Sequence, residues 1–324
     1  MWLHRLPSMR AHETQWVAPH ARCRARLQVL AIVFSTCVAS QVEADSPSAC
    51  WPSSVSETSR SGRFVAWFKS EPREPSEGPD IRCPGPDLAN YPNSSFTLPR
   101  LGFYLETTPF NMASSSELAP LSYNWEIFGR FGITDNIEAR IYTGGLAVYD
   151  GSGSSRVGFL PLTFDTKLHL AKHWWRHFNF SLGLEAYVQT TWGSAGFTNG
   201  LQYAVNMLAD HLLPWKLSYE WNLGFVRAFD SAGNQTFVPT FQGALQRVLI
   251  EDLAIFVQSY RNAGALPSAA LSKGRGTGSE RGTVFGLGLQ WTVSDRWVLF
   301  GSFNVGIGPL APLLSGNVGL AVSR

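Results

Sequence analysis

From Leu98 to Arg324 the chain alternates apolar and polar residues with a period of two, and charge falls on one parity only. The stretch Tyr123–Gly144 reads YNWEIFGRFGITDNIEARIYTG. Tyr123, Trp125, Ile127 and Phe131 share one parity; Asn124, Glu126 and Arg130 share the other. After a polar turn at Thr134-Asp135-Asn136, Ile137, Ala139 and Ile141 alternate with Glu138 and Arg140. Successive side chains of a strand point to opposite faces, so this is a hairpin with one apolar face and one charged face. A soluble core rejects the charges, and a soluble surface rejects so many large apolar groups. One side must meet oil and the other water.

The pattern recurs. Leu217, Tyr219, Trp221, Leu223 and Phe225 alternate with Lys216, Ser218, Glu220 and Asn222. Leu160, Leu162, Phe164, Leu168 and Leu170 are read as one apolar set, opposed by Asp165, Lys167 and His169. Similar runs surround Phe178–Glu185 and Phe285–Trp291. The count is about 12 strands (10–14), most near the ~10 residues of a membrane-spanning strand. Short turns at Thr134–Asn136, Ala171–Arg176, Asp210–Pro214, Ile250–Asp252 and Ser294–Arg296 alternate with longer loops at Pro109–Pro120, Tyr149–Arg156, Asp230–Gln235 and Asn262–Gly282. Outer-membrane barrels have short periplasmic turns and longer external loops. Trp174, Trp175, Trp215 and Trp297 flank the short turns, where an amphipathic ring suits the lipid–water boundary. The sequence thus predicts an all-β, antiparallel transmembrane β-barrel over 98–324. Its place is the outer membrane of a Gram-negative-type cell, with the lipid bilayer and the outer-membrane assembly machinery as partners.

Composition narrows the alternatives. Only 15% of residues are charged, against roughly 25% in soluble proteins, yet mean hydropathy is −0.04. No run approaches the ~20 apolar residues of a membrane helix. The longest apolar stretch, Leu27–Ala39, follows Arg22, Arg24 and Arg26 and precedes Val42-Glu43-Ala44. That order reads as a secretory signal over 1–44, cleaved after Ala44. Residues 45–97 are rich in Pro, Ser and charge and read as a loosely ordered periplasmic arm. Cys50 and Cys83 remain after cleavage, an even pair in an oxidising compartment; a disulfide is the expectation and a free pair the alternative. No basic cluster beyond the N-terminus suggests nucleic acid.

The stretch PDLANYPNSSFTLPR (86–100), YNWEIFGRFGITDNIEARI and the late QWTVSDRWVLFGSFNVGIG together resemble an outer-membrane transporter-like family named after the meta-pathway of phenol degradation. The matching residues are Asn90, Pro92, Ser94, Thr97, Leu98, Pro99 and Glu106. Gly132, Thr134, Asp135, Asn136, Glu138 and Arg140 match at the first turn, and Ser294-Asp295-Arg296 near the end. The resemblance covers 86–324 and implies a barrel that passes small aromatic or hydrophobic compounds. One departure is the C-terminus: Val322 and Arg324 stand where barrels usually carry aromatics.

Parity places Glu106, Glu126, Arg130, Glu138, Arg140, Asp165, Lys167, Glu185 and Glu220 in the lumen, with Tyr104, Tyr187, Gln242 and Asn304. They would line the path of a small-molecule solute, or pair with one another and plug it. The function expected is a channel or transporter for small hydrophobic or aromatic compounds. The alternative is a binding or scaffolding barrel with a plugged lumen, in which 45–97 and 262–282 carry partner contacts. An enzyme is not expected. His169, His173, His177 and His211 lie near predicted turns without a Ser partner and read as solvated. GxSxG, GxxxxGK[ST] and GxGxxG followed by a helix are absent, so no catalytic residue and no cofactor is indicated. There is no metal-ligand spacing.

Overall fold

The computed structural model describes residues 81–324 except 83, 116–120, 152–153, 172–179, 199, 230–234, 251, 262–282 and 308–310. The signal segment, Cys50, Cys83, Trp174 and Trp175 therefore lie outside the described residues, as does the arm up to residue 80.

Fourteen strand segments follow in chain order: β1 Phe103–Ala113, β2 Leu121–Thr134, β3 Ile137–Thr143, β4 Leu146–Gly151, β5 Ser154–Phe159, β6 Leu162–Ala171 and β7 Phe180–Gln189. Then come β8 Gln202–Leu213, β9 Leu217–Phe229, β10 Gln235–Ile250, β11 Leu253–Arg261, β12 Thr283–Ser294, β13 Trp297–Ile307 and β14 Leu314–Ser323. All pairings are antiparallel, and β1 pairs with both β14 and β2, so the sheet closes. Closure leaves no edge, the condition for a sheet to cross lipid.

The segments make twelve strands. β3 continues into β4 across Gly144-Gly145, and β5 into β6 across Leu160-Pro161. The two ladders share one register, with Thr143 opposite Leu162 and Leu146 opposite Phe159, and Leu160 N–H donates to Gly145 O at 2.9 Å between them. What changes at this level is parity. Below it Arg140, Tyr142, Thr163 and Asp165 are buried; above it Ala147, Gly158 and Leu160 are. An irregularity of this kind re-aims side chains. Gly145 makes it possible: its φ is +58°, and a Cβ there would sit 2.1 Å from Trp125 O. Leu160, grouped by sequence with the outward Leu162 and Phe164, is therefore turned inward and is 8% exposed.

A second break lies in β1, where a register shift between Thr107 and Asn111 turns Phe110 and Met112 outward although Tyr104, Glu106 and Thr108 face in. Phe285, Leu287 and Leu289 on β12 and Phe303 on β13 face outward; Leu287 is 60% exposed. Arg130, Lys167 and Glu138 face inward and are fully buried. Asp135-Asn136, Pro214–Lys216 and Asp295-Arg296 form short turns at one end. The C-terminus lies there too, since Arg324 N–H donates to Phe103 O at 2.9 Å and Ser323 N–H to Arg296 O at 2.9 Å. Trp215 (79% exposed) and Trp297 stand out at these turns. One turn differs from expectation. β8 runs on to Leu213 and the turn is Pro214-Trp215-Lys216, so Asp210 is a buried wall residue. A second difference is residues 190–201, a further long connection between β7 and β8.

Candidate functional site

The lumen is filled by the chain itself. Residues 81–98, expected to belong to a loose arm, enter at the short-turn end, where Ile81 N–H donates to Asp295 O at 3.0 Å. They rise to Tyr91, whose N–H donates to Gln258 Oε1 at 2.8 Å and whose ring meets Tyr260 edge-on, with centroids 4.2 Å apart. They return to the same end, where Thr97 Oγ1 donates to Asp135 O at 2.7 Å and Arg100 N–H to Asp135 Oδ1 at 2.9 Å. Ala89, Ser95 and Leu98 are fully buried along the way. The segment's described residues form no strand. Three prolines, Pro84, Pro86 and Pro92, withhold donors from any ladder, so its polar groups bond to wall side chains instead.

Those bonds divide by chemistry. The segment donates to five wall carboxylates: Leu88 N–H to Glu106 (2.8 Å), Asn90 Nδ2 to Glu220 (3.0 Å), Asn93 Nδ2 to Glu185 (2.6 Å), Ser95 N–H to Asp210 (2.5 Å) and Leu98 N–H to Glu138 (2.7 Å). Its single carboxylate, Asp87, receives three cations. Arg140 Nη1 and Lys167 Nζ each lie 2.7 Å from Oδ2, and Arg130 Nη1 lies 3.4 Å from Oδ1. Burial alone would raise the Asp87 pKa; Arg130, Lys167 and Arg140 outweigh it and hold it down from the ordinary 3.8 to about 2. The wall completes the network. Arg130 bonds Glu138 Oε1 at 2.8 Å and Glu106 Oε1 at 3.0 Å, and Arg140 pairs with Asp165 and Glu185. Each guanidinium also lies over a ring, Arg130 on Tyr104 (5.4 Å) and Arg140 on Phe128 (5.1 Å). On the other side Ile81, Ala89 and Leu98 pack with Tyr104, Val298, Phe300 and Ala321.

Nearer the long loops the inward wall changes character. Ala147 and Leu160 cluster with Phe197 of the β7–β8 connection, whose ring stacks on Tyr149 at 5.2 Å. Gly158 leaves room for it: a Cβ there would be 2.6 Å from Phe197. Tyr187, Ala204, Val226 and Val238 form the neighbouring patch.

All nine charged residues placed in the lumen by parity face inward. Glu126 accepts from Tyr142 Oη at 2.9 Å, and the other eight belong to the network just described. Parity could not say what they bond to. Two participants were missed. Asp210 falls within the expected turn Asp210–Pro214, although it shares parity with Gln202 and Asn206. Asp87 was hidden in a segment whose composition suggests disorder. His169 is not a solvated turn residue; it is 3% exposed, with Nδ1 2.9 Å from Ser95 O and its ring stacked on Phe96. Among the described residues no group of three His, Cys, Asp or Glu is placed to hold a metal ion.

Neither a family model nor a curated protein matches the chain. Solved structures do. An outer membrane channel from Pseudomonas putida F1 is 13% identical, with a TM-score of 0.50 over 72% of this chain and 98% of that one. The NanC porin is 9% identical, with a TM-score of 0.44 over 68% and 98%. The first match shows a shared fold. Together with the closed sheet, the apolar exterior and the polar interior, it defines the class: this chain is an outer-membrane β-barrel with the fold of a channel.

Proposed function

We propose that the protein is an outer-membrane channel for small hydrophobic or aromatic compounds, closed at rest by its own residues 81–98. One observation carries this reading. The lumen's occupant is held chiefly by side-chain hydrogen bonds and ion pairs, with one apolar cluster and one backbone bond at Ile81 and without strand pairing, so it can leave while the barrel stays closed on itself. The aromatic pair Tyr149–Phe197 and the apolar patch beside it support the solute class, as does the resemblance to the family named after the meta-pathway of phenol degradation. In this reading residues 1–44 direct export, 45–80 tether the segment on the periplasmic side, and the assembly machinery inserts the barrel. The solute path runs past Glu106, Glu126, Arg130, Glu138, Arg140, Asp165, Lys167, Glu185 and Glu220.

The filled lumen favours a second reading, a binding or scaffolding barrel without transport. Uptake of a phenol-like aromatic, a sugar and a small ion into liposomes separates the two. The wild-type chain is compared with a full-length chain in which a Gly/Ser linker of equal length replaces 81–98. Faster aromatic uptake by the linker chain supports the channel. No flux of any solute through the folded linker chain overturns it in favour of the scaffold.

A further inference from the structure

We infer that the pathway uncovered when residues 81–98 leave prefers cationic and neutral solutes and rejects anions. This rests on the channel reading above. Among the described residues the inward wall carries seven carboxylates and three buried cations, Arg130, Arg140 and Lys167; Arg156, exposed near the long loops, is a fourth cation on the inward parity of β5. The resting occupant shows what such a wall binds. It offers hydrogen-bond donors to five of the seven carboxylates, while its own lone carboxylate takes all three buried cations. Once it leaves, Arg130 and Arg140 keep their wall partners Glu106, Glu138, Asp165 and Glu185; Lys167 loses Asp87 and Phe96 O and stands between Glu138 and Glu185 in the ladder. The carboxylates lose their donors. Asp210 and Glu220 stand directly opposite each other on β8 and β9, and among the described residues neither has a salt-bridge partner. Asp165 Oδ1 is buried and already without a hydrogen-bond partner among the described residues. Water and mobile cations must take the vacated positions. Carboxylates without a cationic partner favour cations in a narrow pore, and low-dielectric walls strengthen the field.

The test holds the ring constant and varies the charge: benzylammonium, benzyl alcohol and benzoate entering liposomes that hold the full-length linker chain. A reversal potential in a KCl gradient is measured beside it. Benzylammonium and benzyl alcohol should enter about tenfold faster than benzoate, the ratio given by roughly 1.4 kcal/mol. The reversal potential should show potassium favoured over chloride. Adding Asp210→Asn and Glu220→Gln should cut that preference severalfold while conductance persists. Equal entry of the three solutes, or faster benzoate, overturns the inference and leaves the channel standing. If the linker chain does not insert, the full-length Asp87→Asn chain serves in its place. Zero conductance in every folded variant overturns the channel reading itself.

Discussion

The two halves of the lumen are built from the same alternating strands and do different work. Near the short turns the wall is ionic, and each charge is matched across the cavity by a wall partner or by residues 81–98. Near the long loops aromatic and aliphatic groups stand beside uncharged polar ones such as Gln189, Gln202 and Thr240, and one stacked pair, Tyr149 on Phe197, packs the face. The lesson concerns consequence more than strength. A buried ionic network contributes little net stability over an apolar one, because desolvation offsets the attraction, but losing one member leaves its partners charged and unpaired. An aromatic contact degrades gradually. The ionic half should therefore act as a latch and the aromatic half as a filter.

The sharpest way to break this contrast is at Arg140, which serves Asp87, Asp165 and Glu185 together. Arg140→Met should destabilise the barrel by about 3–5 kcal/mol, the range for an orphaned buried charge, read as a lower urea midpoint in detergent micelles. An unchanged midpoint would mean that the ionic half is not the fragile one. Next is Asp87→Asn, which removes the segment's only charge among the three cations. Its cost should fall on the segment and not on the barrel: frequent openings in planar bilayers, with a urea midpoint closer to wild type than that of Arg140→Met.

The pH response sharpens the same point. The Asp87 pKa is lowered on folding, so the stability it contributes is complete above its ordinary value of 3.8 and is lost as pH falls towards about 2. Wild-type conductance should accordingly stay low from pH 7 to 5 and rise only below about 4. Openings that appear between pH 7 and 5 would show that another group controls the latch. The smallest effect belongs to the outer half. Phe197→Leu, which keeps an apolar side chain of similar volume, should cost about 0.5–1.5 kcal/mol for the lost ring pair, with little change in conductance. Measured in the linker chain, it should lower the uptake of aromatics relative to sugars. Loss of all uptake would make Phe197 part of the latch instead.

Much of this architecture could be read in the chain before folding. The parity of Glu126, Arg130, Glu138 and Arg140 located the water-facing side because a lone Arg or Lys facing lipid near the bilayer centre costs about 2–4 kcal/mol. That penalty acts residue by residue, so it leaves a local mark. Leu160 escaped the rule because Gly144-Gly145 and Pro161 shift two adjacent strands by one position, and parity carries no memory across such a break. Asp210 escaped because the expected turn begins four residues before the observed one at Pro214, which moves it out of the wall.

By itself the sequence determined the closed antiparallel barrel, its apolar exterior and its charged interior, since each depends on alternation within a strand or on pairing between neighbours. Only the tertiary structure decided what those interior charges face. Asp87 lies 43 positions from Arg130, 53 from Arg140 and 80 from Lys167, and none of these spacings marks an interaction. The segment around it is poor in apolar residues and could not order itself alone. It is ordered because a cavity lined with carboxylates satisfies its backbone donors, and that cavity exists only once twelve strands have closed around it.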